Sequence, residues 1–223
     1  MDAPRAKSLI GETAPAFDRR FRDTLESLLV WRRDVRRFRT DPLPDGLIEQ
    51  LLGLAALSPS VGNAQPWRFV TVDDAARRAD IIANFERANA EALDDYDGAR
   101  AELYAGLKLA GLKEAPVHLA VYCDDESEAG HGLGRKTMPE MLAYSVVGAI
   151  TTLWLAARAN GVGLGWVSIL DPEQVRRTLD VPETWTLIGY LCLGYPVEEH
   201  DDPELVRAGW QDRVDISTFI LKR

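Results

Sequence analysis

Thiols and imidazoles are scarce in this chain. Its 223 residues hold two cysteines, Cys123 and Cys192, and three histidines, His118, His131 and His200. The cysteines form no CxxC pair and both lie in apolar runs, which predicts buried free thiols rather than a disulfide or a metal site. The histidines show no ligand spacing, so a metal site finds no support. There is no P-loop, no GxSxG, no HExxH and no Cys/His dyad, which leaves hydrolase and kinase readings without footing. The run Gly130-His131-Gly132-Leu133-Gly134-Arg135 lacks GxGxxG spacing and reads as a loop that delivers Arg135. Net positive charge is lacking too. A formal charge of -9 argues against non-specific nucleic-acid binding, because a phosphate backbone would be repelled. The first residues, MDAPRAKSLIGETAP, contain no apolar core of signal-peptide length, and a reduced cytoplasmic setting is the expectation.

Long apolar runs are rare, with one exception. Met141 to Ala157 carries no charged residue and reaches the short limit of a membrane span, roughly 17 residues. It contains Tyr144, Ser145, Gly148, Thr151 and Thr152, and no second candidate span exists. It reads as the central buried helix of a globular core, with no membrane partner. Hydrophobic residues at 46% and charged residues at 27% fit one α+β domain over residues 1–223.

The order of elements follows from periodicity and punctuation. Residues 1–15 read as a loose arm. Phe17, Phe21, Leu25, Leu28 and Leu29 predict a helix ending near Trp31, and Leu47, Ile48, Leu51, Leu52 and Ala55 predict a second. A loop of small and polar residues, Ser58 to Trp67, leads into a strand over Phe69–Val72, with Asp73-Asp74 capping the next helix. Residues 75–113 read as charged helices interrupted near Asp97-Gly98, either a lid or plain surface helices. Val117–Cys123 reads as a buried strand, and residues 124–138 as an acidic, Gly-rich loop. Pro139 opens the long apolar helix and Asn160-Gly161 closes it. Gly161–Leu170 enters a third strand, Asp171-Pro172 caps a short helix to Leu179, and Trp185–Tyr195 is a fourth strand. Ser217–Leu221 reads as a final, strand-like segment.

Three features carry the candidate chemistry. Arg32-Arg33-Asp34-Val35-Arg36 packs three guanidinium groups around one carboxylate at a helix end. Arginine forks suit bidentate capture of phosphate, while a solvated basic helix end is the plainer reading. The Ser60–Trp67 loop exposes backbone N–H groups, with Gly62 allowing close approach. The Gly165-Trp166-Val167-Ser168 stretch offers a glycine beside which a planar ring fits, and a hydroxyl for a ring heteroatom. Phosphate plus a planar heterocycle points to a nucleotide-like ligand.

The runs RRDVRRF, SPSVGNAQPWRF, LGRKTMPEM, GVGLGWVSIL and LCLGYP resemble the flavin-binding nitroreductase superfamily, over about Val30 to Arg213. More narrowly they are similar to those members that make 5,6-dimethylbenzimidazole, the lower ligand of cobalamin. Asp34 carries much of that narrower likeness, since ordinary members generally have Ser in that position. The resemblance implies an α+β sandwich with a central, mainly antiparallel sheet flanked by helices, usually a homodimer with flavin near the subunit interface. It implies that Arg32, Arg33 and Arg36, with Arg213, hold the FMN phosphate and ribityl region. Asp34, Val35, Ser60, Gly62, Leu107, Gly165, Trp166, Val167 and Ser168 would line the rest. Reduced FMN would be both cofactor and substrate, broken down with O2 to 5,6-dimethylbenzimidazole and D-erythrose 4-phosphate. Residues 75–113 would form a lid that excludes a nicotinamide, so a separate flavin reductase would supply the reduced flavin. Asp34 would then act as general base, and Ser168 would hydrogen-bond a ring nitrogen or an added oxygen. Asn63-Ala64 departs from the bulky apolar pair of some members. Two other readings stay open: an NAD(P)H-dependent nitroreductase or quinone reductase, and a flavin-binding protein without activity.

Overall fold

The computed structural model describes residues 15–223; the arm expected at residues 1–15 falls almost wholly outside them. Alternation in the apolar strands builds a four-stranded antiparallel sheet of order β1-β2-β4-β3. Its strands are β1 (Trp67–Thr71), β2 (Val117–Asp124), β3 (Gly163–Val167) and β4 (Trp185–Gly194). Successive side chains of a strand point to opposite faces. On β2, Leu119, Val121 and Cys123 therefore join one core, and Ala120 and Tyr122 the other. The first core is roofed by α2 (Leu47–Ala55) and α5 (Met141–Ala159), the second by α3 (Ala75–Leu93) and α6 (Pro172–Leu179). The expected α+β sandwich is the observed architecture, with the sheet wholly antiparallel.

Helix α5 is long and apolar enough to cross a membrane, with mean hydropathy 1.3. Its buried side chains, Leu142, Val146, Ala149, Ile150, Leu153 and Ala157, recur at helical spacing and pack the first core. Gly161, at φ +71°, ends the helix in the left-handed geometry that glycine adopts without strain. Asp74 and Asp171 cap α3 and α6 through the backbone N–H groups of Arg77 and Gln174.

Four expectations need correction. Residues 107–113 are not helical: α4 (Gly98–Gly106) stops at Leu107, and the chain turns beneath Phe38. A Cβ at Gly111 would lie 2.4 Å from the Phe38 ring, so the chain passes close to that ring only as glycine. Pro139 precedes the cap residue Glu140 and does not occupy the first helical turn. Arg135 donates to the Ser127 carbonyl at 2.8 Å and ties its own loop together. Ser217–Leu221 is no strand: Ile216–Phe219 makes a single 3-10 turn capped by Asp215, and the apolar side chains stay exposed.

Helix α1 (Arg19–Trp31) has the expected apolar stripe, yet buries none of its residues. Phe17 is 57% exposed and Leu29 50%.

Both cysteines are buried free thiols, as expected. Burial pushes the Cys123 thiol up to about 12, and Cys192 also upward, so neither supplies a thiolate nucleophile. His118 is buried against Tyr190, with Nδ1 3.0 Å from the phenol oxygen. Burial and the nearby Arg78 charge, opposed by backbone at Leu112, lower it from 6.5 to about 4. The folded state then holds a neutral imidazole that protonates more readily once unfolded. That stability is whole above pH 6.5 and falls as pH drops towards 4. The loss amounts to a few kcal/mol, each tenfold change in proton affinity being worth about 1.4 kcal/mol. Denaturant titrations at pH 7 and pH 4.5 measure it, and a His118→Gln variant should flatten the difference.

Candidate flavin site at the edge of the third strand

The Arg32–Arg36 segment runs along the free edge of β3. The Val35 N–H donates to the Leu164 carbonyl at 3.0 Å, and Asp34 forms a parallel bridge with Leu164. Glycine makes this approach possible. A Cβ at Gly165 would sit 2.1 Å from the Val35 carbonyl oxygen, and one at Gly163 2.8 Å from the Val35 side chain. The glycines therefore admit the Arg/Asp segment on that face, not a ligand ring.

Asp34 is fixed at both oxygens. Oδ1 accepts the Trp166 backbone N–H at 2.9 Å, and Oδ2 accepts Arg36 Nε at 2.9 Å. Arg36 is only 12% exposed and also donates to the Lys108 carbonyl at 3.1 Å. Arg36 is thus committed inside the protein, linking Asp34 to the segment after α4. Each Asp34 oxygen keeps one lone pair, and the side chain remains 32% exposed.

Six other arginines of this region divide into two groups. Arg37, Arg158 and Arg207 pair with Glu204 at 2.7 Å, Glu199 at 2.5 Å and Asp202 at 2.6 Å. Among the described residues, Arg32, Arg33 and Arg213 have no carboxylate within ion-pair distance. Burial holds the Arg33 guanidinium below its ordinary value, and the positive charges of Arg32 and Arg213 add to that, against Asp202 and Asp201. Arg33 Nη2 donates to the Val30 carbonyl at the end of α1, while its buried Nε has no partner. A guanidinium crowded by two like charges and carrying an unpartnered buried donor suits an anion such as the phosphate end of FMN.

The ring end is divided. Ser168 lies just past β3, is exposed, and its hydroxyl makes no hydrogen bond among the described residues. Trp166 lies across Gly189, where a Cβ would be 2.4 Å from the indole nitrogen. Val167 is buried in the second core, and Leu107 lies beside a cavity that also meets Phe85, Asn89 and Lys108. The Ser60–Trp67 loop does not join them. The Val61 N–H donates to Ser145 on α5 at 3.1 Å, whereas Trp154 of α5 donates to the Arg33 carbonyl at 3.1 Å. Nine helical residues separate these positions, about 13 Å of rise and roughly half a turn around the axis. The loop and the arginine cluster thus occupy opposite faces of one helix. Gly62 is taken up by packing: its Cβ would meet the Leu133 carbonyl at 2.9 Å. Ser60 Oγ accepts the Gln65 N–H at 3.0 Å. Asn63 and Gln65 both have positive φ, +57° and +46°, a conformation that non-glycine residues hold only when their surroundings enforce it.

Sequence reasoning passed over Trp154, which reads as one more apolar residue of the core helix. No local signal sets it apart, since the hydroxyls of its neighbours Thr151 and Thr152 bond carbonyls of their own helix.

A four-stranded antiparallel sheet between two helical layers defines an α+β sandwich class, and the chain belongs to the nitroreductase family, whose model matches residues 29–195. Within it, the chain is 58% identical over 201 residues to the 5,6-dimethylbenzimidazole synthase of Rhodospirillum rubrum, covering 90% of this chain and 95% of that one. It is 50% identical over 198 residues to a 5,6-dimethylbenzimidazole synthase of Rhodobacter capsulatus, with 89% and 96% covered. Among solved structures, an oxidized iodotyrosine deiodinase bound to FMN and 3-iodo-L-tyrosine superposes with a TM-score of 0.67 at 28% identity, covering 79% of this chain and 91% of that one.

Proposed function

We propose that this protein is an enzyme that breaks down reduced FMN with O2, giving 5,6-dimethylbenzimidazole and D-erythrose 4-phosphate for the lower ligand of cobalamin. The observation that carries the reading is Asp34, a carboxylate pinned on the Trp166 N–H beside three arginines that lack carboxylate partners. The names of the relatives support it. Reduced FMN supplies the ring and the ribityl carbon from which the product is built. Arg32, Arg33 and Arg213 hold its phosphate. Asp34, through the free lone pair on an oxygen, takes a proton near the ribityl carbon that becomes C2 of the benzimidazole. Ser168, exposed at the end of β3, donates its hydroxyl to the ring. The helices α3 and α4 act as the lid, and a separate reductase supplies the reduced flavin.

The opposite placement of the Ser60–Trp67 loop and the arginines favours a homodimer, in which one subunit's loop meets the other's cluster. Two copies joined through α1, with Tyr144 and Val147 of the neighbouring α5, would also cover the exposed stripe. Light scattering should give twice the 24.8 kDa chain mass. A Leu25→Asp, Leu29→Asp variant should halve that mass and weaken flavin binding; an unchanged dimer would place the interface elsewhere.

A second reading has one observation in its favour. Both Asp34 oxygens are already engaged, which suits a structural carboxylate in an ordinary NAD(P)H-dependent nitroreductase or quinone reductase. Anaerobic mixing with NADPH separates the two. The proposal expects bound FMN to stay oxidised. Rapid bleaching of the flavin absorbance by NADPH would favour the second reading.

A further inference from the structure

We propose that Trp154 is the positioning residue of the phosphate anchor, acting through Arg32 and the Arg33 backbone. The inference rests on the reading of Arg32, Arg33 and Arg213 as the group that holds the FMN phosphate.

Three contacts converge on one side chain. The Trp154 indole N–H donates to the Arg33 carbonyl at 3.1 Å. Its ring carries the Arg32 guanidinium, whose carbon lies 4.8 Å from the ring centroid. Its ring centroid lies 6.3 Å from that of Trp166, whose backbone N–H holds Asp34. Trp154 also packs on the first core, so it is anchored from below by α5 and the sheet.

The physical consequence concerns freedom as well as contact. An arginine without a carboxylate partner samples many rotamers, and ordering such a side chain on binding costs about 0.5–1.5 kcal/mol, two- to tenfold in affinity. A cation over an indole face is held there electrostatically. Held by its carbon over the ring, the Arg32 fork keeps N–H groups for bidentate contact with a phosphate. The hydrogen bond to the Arg33 carbonyl fixes the peptide link between Arg33 and Asp34. Trp154 thereby presents Arg32 to the anion without touching it.

The test compares FMN with riboflavin, which has the same ring and ribityl chain but no phosphate. Affinities come from quenching of flavin fluorescence by the full-length protein, with thermal midpoints measured alongside. Trp154→Leu should weaken FMN roughly tenfold, the upper end of what a lost cation–π contact and added side-chain ordering give, and leave riboflavin within about twofold. Trp154→Phe keeps an aromatic face and should lose only about threefold for FMN, so it serves if the leucine variant folds poorly. In an Arg32→Ala background, Trp154→Leu should weaken FMN by no more than about threefold, the part carried by the hydrogen bond to the Arg33 carbonyl. Equal weakening of FMN and riboflavin, or undiminished FMN affinity in both Trp154 variants, overturns the positioning role. If Arg32→Ala itself leaves the preference for FMN over riboflavin unchanged, the phosphate anchor fails, and Trp154 with it.

Discussion

An Asp34→Asn variant is expected to bind FMN within a few-fold of the parent and to form product at least about 100-fold more slowly, the usual scale of a lost general base. The substitution is nearly isosteric. The Asn oxygen keeps the Trp166 N–H at the Oδ1 position, so the β3 edge is preserved. Its amide nitrogen, however, faces Arg36 Nε donor to donor. Arg36 is 12% exposed, and some stability is lost with its carboxylate, about 1–3 kcal/mol. Arg36→Gln separates that loss from chemistry, because it removes the same ion pair and leaves the carboxylate. It should retain turnover within about tenfold. If both variants slow equally, Asp34 serves the pair and not the reaction. If Asp34→Asn makes product at the parent rate, the base role is wrong.

Gly165→Ala should be the most destabilising single methyl in the molecule, by about 3 kcal/mol or more. Gly165 lies inside β3, paired with Cys192 of β4. The added Cβ would stand 2.1 Å from the Val35 carbonyl oxygen. No rotamer change relieves a clash between a Cβ and a backbone oxygen. Either β3 leaves β4, or the Arg/Asp segment leaves β3 and gives up its hydrogen bond to Leu164. The second route is cheaper and carries Asp34 away from Trp166, so activity should fall along with stability. Gly163→Ala is the control, since its Cβ would meet the Val35 side chain at 2.8 Å, where atoms can shift. It should cost roughly half as much or less. Urea midpoints measure both; a Gly165→Ala loss under about 1 kcal/mol would show that the segment does not ride on the strand.

The same glycines show what sequence reading reaches and where it stops. Their presence beside Trp166 and Ser168 signals a close approach. Nothing in the chain says that the approaching group is Val35, from a segment more than a hundred positions earlier. The helices α2 and α5 and the strands β2 and β4 were legible because burial imposes a period, 3.6 or 2, on apolar residues. Asp74, Asp171 and Gly161 were legible because caps have local chemistry. Residues 107–113 misled because Leu107, four positions after Leu103, continues a helical spacing, while Gly111 is there to make room for Phe38. The tail misled because Ser217–Leu221 has strand-like composition, yet its chain curls into a 3-10 turn and pairs with no strand among the described residues. Of the three features expected to meet, the arginine cluster and β3 do. The Ser60–Trp67 loop is held to the opposite face of α5, through Ser145, and that separation depends on tertiary contacts alone.

The most direct question is whether the flavin is consumed. Purified protein mixed with chemically reduced FMN in air, with no nicotinamide present, answers it by chromatography of the products. The expected result is 5,6-dimethylbenzimidazole in an amount that matches the FMN lost. Full recovery of intact, reoxidised FMN from active, folded protein would contradict it.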